Sequence, residues 1–310
     1  MTNPTTLEIG GSTAAIADEA THAVLLRRPT TFGEDVWYRF RRNRMALLGL
    51  AIVIGLIVVA LFAPFIAPYD PVHVSLREQF SPPSLKHPFG TDVYGRDLLS
   101  RVIYGARISL VIGFVPAVIA MLIGSTLGVV AGYYRGFTDT FIMRLADVVF
   151  AFPSIILAMV VTYILGASLF TLFIALSVVS WASAARVVRA QGLTLRERDF
   201  VIAGRAVGAG NARIMFRHII PNCLAPILVL FTMSIPAAIM AEAGLSFLGV
   251  GAQPPTPSWG LMVNEAQAYI FSAPWASIIP GLAILITVLG FNFVGDGLRD
   301  AIDPYLKGKM

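Results

Sequence analysis

Five long stretches of the chain contain no Asp, Glu, Lys or Arg, and they restrict the fold more than any other feature. They cover residues 45–69, 108–134, 148–185, 219–241 and 266–295. A transmembrane helix needs roughly 20 predominantly apolar residues, and each stretch is at least about that long. The third is long enough for two helices, so we divide it at the turn Gly166-Ala167-Ser168 into spans at about 144–165 and 170–187. The sequence therefore predicts an all-α polytopic membrane protein with six transmembrane helices.

Composition agrees with a chain that lipid surrounds. Hydrophobic residues make up 56% of the 310 residues and charged residues only 13%, whereas charged residues approach about a quarter of a soluble chain. The net charge of +5 does not indicate a nucleic-acid partner, because the basic residues lie in the gaps between apolar stretches and form no exposed basic face. Cys223 is the sole cysteine and the four histidines are scattered, so we predict no disulfide and no metal site.

The distribution of Arg and Lys predicts the orientation, because the cytoplasmic side of a membrane protein normally keeps them. Placing both termini in the cytoplasm puts most of them on that side, and the few on the other side fall in one loop. The predicted segments are a cytoplasmic, disordered tail at 1–33, an interfacial amphipathic helix at 34–44, transmembrane helix 1 at 45–69, an extracytoplasmic loop at 70–104, a core of five transmembrane helices at 105–306, and a cytoplasmic tail at 307–310.

The core contains a long basic loop at about 190–218, which reads as a short helix followed by the breakers Gly208 and Gly210. Small residues at Ala203, Gly204 and Ala206 would let another surface approach the backbone closely. The guanidinium groups of Arg205 and Arg213 can bond carboxylates or carbonyls on a partner. The alternative is a solvated basic loop that only anchors the topology.

Residues 199–208 (DFVIAGRAVG) and 216–222 (FRHIIPN) resemble the "EAA" loop of ABC-importer permeases. In that family the loop is a coupling helix that inserts into a groove of the cytoplasmic ATPase. The resemblance assigns the coupling role to Asp199, Ala203, Gly204, Arg205, Ala206, Gly208, Arg213, His218 and Pro221. The sequence departs from the family pattern at Ile202, where Glu is usual, and at Gly204, where Ala is usual.

Residues 87–101, 241–249 and 295–304 are similar to segments of the dipeptide/oligopeptide permease C subunit. The resemblance implies the type I ABC-importer permease fold in a bacterial inner membrane. It implies a homologous second permease, two cytoplasmic ATPase subunits or domains and an extracytoplasmic substrate-binding protein as partners. It also implies that ATP and Mg are bound by the ATPases, with no cofactor in this chain. Nickel, glutathione and some oligosaccharide importers share this permease type, so the solute stays open.

The segment at 87–101 also has a physical interpretation of its own. Asp92, Gly95, Arg96 and Asp97 form a charged, glycine-containing turn before the second predicted span, and such a turn can fold back on itself through ion pairs. The turn either faces a docked binding protein or forms a rigid lid over the outer end of the helices.

Glu242 is a carboxylate within uninterrupted apolar sequence. An ionisable group at membrane depth is costly, so its default interpretation is functional. We expect it either to face the translocation path or to cap a neighbouring helix near the outer end of its span.

The chain contains no phosphate-binding loop of the form Gly-x4-Gly-Lys-Ser/Thr, no His-Glu-x-x-His and no Gly-x-Ser-x-Gly. We therefore predict no catalytic residues and an energy source on another polypeptide. An ion-coupled secondary transporter would instead require inverted repeats and several ionisable groups at mid-membrane. An intramembrane enzyme would require paired catalytic groups within the spans.

Overall fold

The computed structural model describes residues 32–302. Within them, the segments that are long enough to cross a membrane are helical. The helices are α1 (Phe32–Phe40), α2 (Arg44–Leu61), α3 (Ala63–Ile66), α4 (Leu98–Tyr134), α5 (Gly136–Ala151), α6 (Ser154–Leu165), α7 (Leu169–Leu195), α8 (Asp199–Ala206), α9 (Leu224–Phe247), α10 (Trp259–Ala266) and α11 (Pro274–Ile302). Within residues 32–302 the only β pairing is an isolated bridge between Thr91 and Asp97. The predicted tails lie almost wholly outside the described residues.

Helices α2, α4, α7, α9 and α11 are each long and apolar enough to cross a membrane. Helices α5 and α6 pass the same test only as a pair, and they are bent by 94° relative to each other. The span predicted at about 144–165 is therefore present as a bent pair of helices. The bend has a local cause, because a proline disfavours helical geometry in the residue before it. Phe152, which precedes Pro153, is extended with φ −106° and ψ 142°.

Polar caps set the starts of two membrane helices. The Asn43 side chain accepts hydrogen bonds from the N–H groups of Met45 and Ala46, which starts α2. The Asp97 carboxylate accepts the N–H of Ser100 at 2.8 Å and so starts α4. Helix α4 thus begins before the predicted core boundary at 105, and the last part of the predicted 70–104 loop is helical.

The bundle has two distinct ends. At one end, the end of α2 and the starts of α4 and α11 meet in a cluster that contains Ala60, Leu98 and Trp275; we call it the closed end. At the other, α1, the start of α2 and the end of α11 meet around Phe40 and Ala301; we call it the basic end. Since α4 starts at the closed end, its last residue lies at the basic end, as do both limits of the described chain.

Helices α4 and α7 pack with their backbones in close contact. A Cβ atom added to Gly124 would lie 2.5 Å from the Trp181 carbonyl oxygen, and one added to Gly128 would lie 2.5 Å from the Ala185 carbonyl oxygen. These two glycines therefore let the two helix backbones pack closely. Gly132 continues the same seam one turn further on.

Candidate coupling surface and transport path

Helix α8 is a short helix at the basic end whose limits follow from its sequence. Its first residue is Asp199, whose negative charge suits the positive end of the helix dipole. After its last turn Gly208 adopts φ +78°, a left-handed conformation that favours glycine. The N–H of Ala209 then donates to the Gly204 carbonyl at 2.9 Å. Gly208 is therefore required to turn the chain out of the helix.

Helix α8 has one anchored face and one exposed face. Val201 is 1% exposed and packs in a cluster with Ile214 and Met215. On the other face Ile202 is 54% exposed, and Val207, directly after the helix, is 84% exposed. A short helix that presents apolar side chains to solvent while one residue holds it to the bundle is suited to docking.

The predicted coupling residues lie mostly on the exposed side of α8. Gly204 is half-buried against Ile214, and the remainder are exposed, namely Asp199, Ala203, Arg205, Ala206 and Gly208. The exposed apolar residues Ile202 and Val207 were not predicted as part of the surface. Their only sequence signal was their position beside the small residues.

Tyr133, near the end of α4, joins that helix to the α8 region. The Arg205 guanidinium lies over the Tyr133 ring, 5.0 Å from its centroid. The Tyr133 hydroxyl donates to Asn211 Oδ1 at 2.8 Å, and the Tyr133 carbonyl accepts from Arg196 Nη1 at 2.6 Å. These contacts join the α8 region to the end of α4. No local pattern of residues indicates them.

Arg213, His218 and Pro221 lie beyond α8, on the helical segment 211–222 that leads into α9. Arg213 and Pro221 are exposed and His218 is half-buried. The turn Ile214–Ile219 is π-helical. This widening precedes Pro221, which offers no N–H to the carbonyl of Arg217 and whose ring crowds it.

At the closed end the turn residues form buried ion pairs, as their sequence predicted. Arg96 Nε lies 2.6 Å from Asp92 Oδ2 and its Nη2 lies 2.6 Å from Glu265 Oε2. Arg101 Nη1 and Nη2 lie 3.1 Å from the same two carboxylates, and its side chain is 0% exposed. Glu265, on α10, was not predicted, although it is the only charged residue between 246 and 270.

The other two predicted turn residues, Gly95 and Asp97, are also buried. Gly95 has φ +71°, and a Cβ atom there would lie 1.9 Å from the Ser75 carbonyl oxygen. Asp97 accepts the Ser100 N–H and lies 2.8 Å from His87 Nδ1. The charged groups of the turn form ion pairs and hydrogen bonds with other groups of the same chain. The geometry therefore favours the rigid lid over a direct binding surface.

Two carboxyl groups of this lid have shifted pKa values of opposite sign. Burial raises the pKa of Glu265 above its ordinary value of 4.5, although the neighbouring Arg96 opposes the shift. The hydrogen bond from Lys86 lowers the pKa of Glu78, which is half-buried.

Glu242 is buried and turned toward the end of its own helix. The Ser246 hydroxyl donates to Glu242 Oε1 at 2.7 Å and accepts the Ala252 N–H at 2.9 Å. The carboxylate thereby fixes the turn that follows α9. These contacts belong to the end of α9 and the turn after it, so both the translocation-path role and the capping of a neighbouring helix stay predictions.

A cavity of about 580 Å³, separate from the surroundings of Glu242, lies between α4, the α5–α6 bend, α7 and α9. Ala117, Phe152, Ser183 and Ala241 are among the residues that line it. Glu242 is adjacent in sequence to Ala241 but does not line it. The sequence contained no charged or aromatic pattern that would have indicated this cavity.

Membrane-length helices, an open cavity between them, a turn closed by buried ion pairs at one end and a short exposed helix at the other are the features of a membrane-embedded transport subunit. Residues 124–308 match the family model described as "Binding-protein-dependent transport system inner membrane component". Residues 31–83 match the "N-terminal TM domain of oligopeptide transport permease C". The chain belongs to the first of these families, the inner-membrane permeases of binding-protein-dependent ABC importers.

Relatives with assigned transport roles are similar over most of their length. The chain is 44% identical to a dipeptide transport system permease protein of Alkalihalophilus pseudofirmus, over 88% of this chain and 90% of that protein. It is 48% identical to a glutathione transport system permease protein of Escherichia coli, over 88% and 91%. Among solved structures, a chain of the inward-facing MetNI methionine ABC transporter has a TM-score of 0.53 at 20% identity, covering 66% of this chain and 96% of that chain. This likeness shows the type I importer permease fold.

Proposed function

We propose that this chain forms, with a homologous second permease, the path by which short peptides enter the cell. Two cytoplasmic ATPase subunits or domains would supply ATP and Mg²⁺ chemistry, and an extracytoplasmic binding protein would deliver the solute. The named solutes of its relatives support this proposal, because one relative carries dipeptides and another carries glutathione, which is itself a short peptide.

We place the basic end in the cytoplasm, with both termini on that side. The arrangement of charge supports this orientation because the cytoplasmic side keeps Arg and Lys. Arg44 starts α2, Arg135 follows α4, and Arg196 and Arg205 lie around α8, all at the basic end. The arginines of the closed end, Arg96 and Arg101, are neutralised by buried carboxylates.

Coupling to ATP hydrolysis is the role that we assign to α8. The observation that carries this assignment is its two-faced burial, with Val201 held in the core while Ile202 and Val207 face solvent. A partner that binds the exposed face of α8 can move the bundle through Val201 and through the contact between Arg205 and Tyr133. Such rigid-body transmission is a known mode of alternating access.

The substitution Ala203→Trp tests the assignment, because Ala203 is exposed and a bulky ring there would block close approach without disturbing the core. We expect the variant to insert into the membrane normally. In vesicles that contain the partner subunits and binding protein, ATP-dependent dipeptide uptake should fall about tenfold or more, which corresponds to about 1.4 kcal/mol of lost docking energy.

The matched control is Ala51→Trp, at an exposed alanine of α2 outside the predicted coupling loop. It should leave uptake close to that of the unmodified protein. Equal uptake by the Ala203→Trp variant and the control would rule out α8 as the coupling element.

A further inference from the structure

The cavity lies midway along the bundle. Its lining includes Ala117 and Ala120 near the centre of α4, and Ser180 and Ser183 in the central part of α7. Ala237 contributes from the second half of α9. In secondary transporters the solute sites lie near the bilayer midplane, and the middle of membrane-length helices is the part expected at that depth.

The bend between α5 and α6 gives a physical reason for water in the cavity. The last carbonyl groups of a helix have no partner within that helix, and Pro153 supplies no N–H to the last turn of α5. Non-helical backbone at membrane depth is tolerated only where protein buries it or where it lines an aqueous cavity. Phe152 and Ser154, on either side of Pro153, both line this cavity.

The chemistry of the lining is hydroxylic and uncharged. Ser154, Ser180, Ser183 and Ser234 line the cavity among apolar residues, and no Asp, Glu, Lys or Arg of residues 32–302 does. The Ser234 hydroxyl donates to the Phe231 carbonyl at 2.8 Å. The Ser180 and Ser183 hydroxyls form no hydrogen bond within the described chain, so they are open to a solute. The volume falls within the roughly 300–1,000 Å³ of small-molecule pockets.

We propose that this cavity is the solute-contact site of the subunit and that it binds the uncharged, hydrogen-bonding part of its cargo, the peptide amide groups, through serine hydroxyls. The inference rests on the proposed function. It also specifies a division of roles, because a lining without charge cannot select solutes by the charge of their side chains. The ionised ends of a peptide must then be matched by the second permease or by water.

A charge placed in the cavity tests this site. In the assembled importer, the Ser183→Asp variant should lower uptake of an anionic dipeptide such as Asp-Ala about tenfold relative to a cationic one such as Lys-Ala, because like charges repel in a low-dielectric site. The unmodified protein sets the reference ratio. Thr194→Asp, an exposed position of α7 outside the cavity, should leave the ratio unchanged. An unchanged ratio in Ser183→Asp with uptake intact overturns the proposal.

A cysteine variant covers the case in which Ser183→Asp abolishes insertion. Cys223 is the only cysteine and is buried, so Ser183→Cys in a Cys223→Ser background presents one reactive thiol. A cationic, water-soluble methanethiosulfonate reagent should label it and then reduce uptake of Lys-Ala relative to Asp-Ala, the opposite preference. Absence of labelling, or labelling without a change in the ratio, also overturns the proposal. Failure of the unmodified importer to take up any dipeptide would instead contradict the proposed function.

Discussion

The closed end and the basic end use the same kinds of ion pair in opposite ways. At the closed end Arg101 is 0% exposed and lies between the carboxylates of Asp92 and Glu265. At the basic end Arg135 is paired with Glu197, but its side chain is 44% exposed. The comparison shows that an arginine–carboxylate contact has no fixed value. Burial decides whether such a contact stabilises the fold or contributes little to its stability.

Desolvation explains the difference. A buried charge that loses its partner cannot be rehydrated, so breaking one partner of a buried pair costs several kcal/mol. When one partner of an exposed pair is lost, water solvates the other, so the pair contributes little to stability. We therefore expect the closed end to behave as a fixed lid, whereas charges at the basic end remain available to the membrane surface and to other proteins.

The substitution Arg101→Gln should produce the largest effect, because it leaves Asp92 and Glu265 with one fewer buried cation. We expect the free energy of unfolding to fall by about 3–5 kcal/mol, seen as a lower midpoint of thermal denaturation in detergent. Arg101→Lys keeps the charge but cannot contact both carboxylates with two separate nitrogen atoms. Its denaturation midpoint should lie between those of the unmodified protein and Arg101→Gln. A midpoint unchanged in Arg101→Gln would mean that the lid does not depend on these pairs.

The pH dependence of stability should be smaller and should have a specific sign. Since folding raises the pKa of Glu265, its contribution is fully present below the ordinary value of 4.5 and declines as the pH rises through the folded-state pKa. Glu265→Gln should therefore flatten the decline in denaturation midpoint between acidic and neutral pH. Glu78→Gln serves as the comparison, because the pKa of Glu78 is lowered and its contribution is lost on acidification instead. Identical slopes in all three proteins would contradict the prediction.

The substitution Arg135→Gln should have the smallest effect, although it removes the same side chain as Arg101→Gln. The pair with Glu197 is exposed on both sides, so we expect the free energy of unfolding to change by about 0–1 kcal/mol, a difference that raised ionic strength should abolish. Thermal denaturation at two salt concentrations measures it. A loss comparable to that of Arg101→Gln would show that the two ends are not distinguished by burial.

Much of the fold was predictable because single-sequence signals report on the environment of one segment at a time. Uncharged length located the spans, and the charged residues Asp92 and Arg96 indicated the ion pairs of the turn. The helix α8 and its glycine were also visible. These features depend on residues a few positions apart, and the structure agrees with them.

Contacts between distant segments were not predictable in the same way. Glu265 is 169 residues from Arg96, and no local pattern pairs them. Nothing near Tyr133 in the sequence indicates its contacts with α8, and the alanines and serines of the cavity carry no distinctive signal. Pro153 marks the place of the bend but not its angle of 94°, because the size of a bend depends on what packs on either side of it.

The glycine seam between α4 and α7 has a mechanical consequence for the whole subunit. At Gly124, Gly128 and Gly132 no side chain of α4 separates the two backbones, so this half of α4 is held directly against the backbone of α7. Helix α4 has 37 residues and is therefore about 55 Å long, longer than the roughly 30 Å hydrocarbon core. Pro116 removes one backbone hydrogen bond near the middle of α4, but the helix continues from Arg101 at the closed end to Tyr133 at the basic end. The ion-paired turn and the contact with α8 therefore lie at the two ends of one continuous helix.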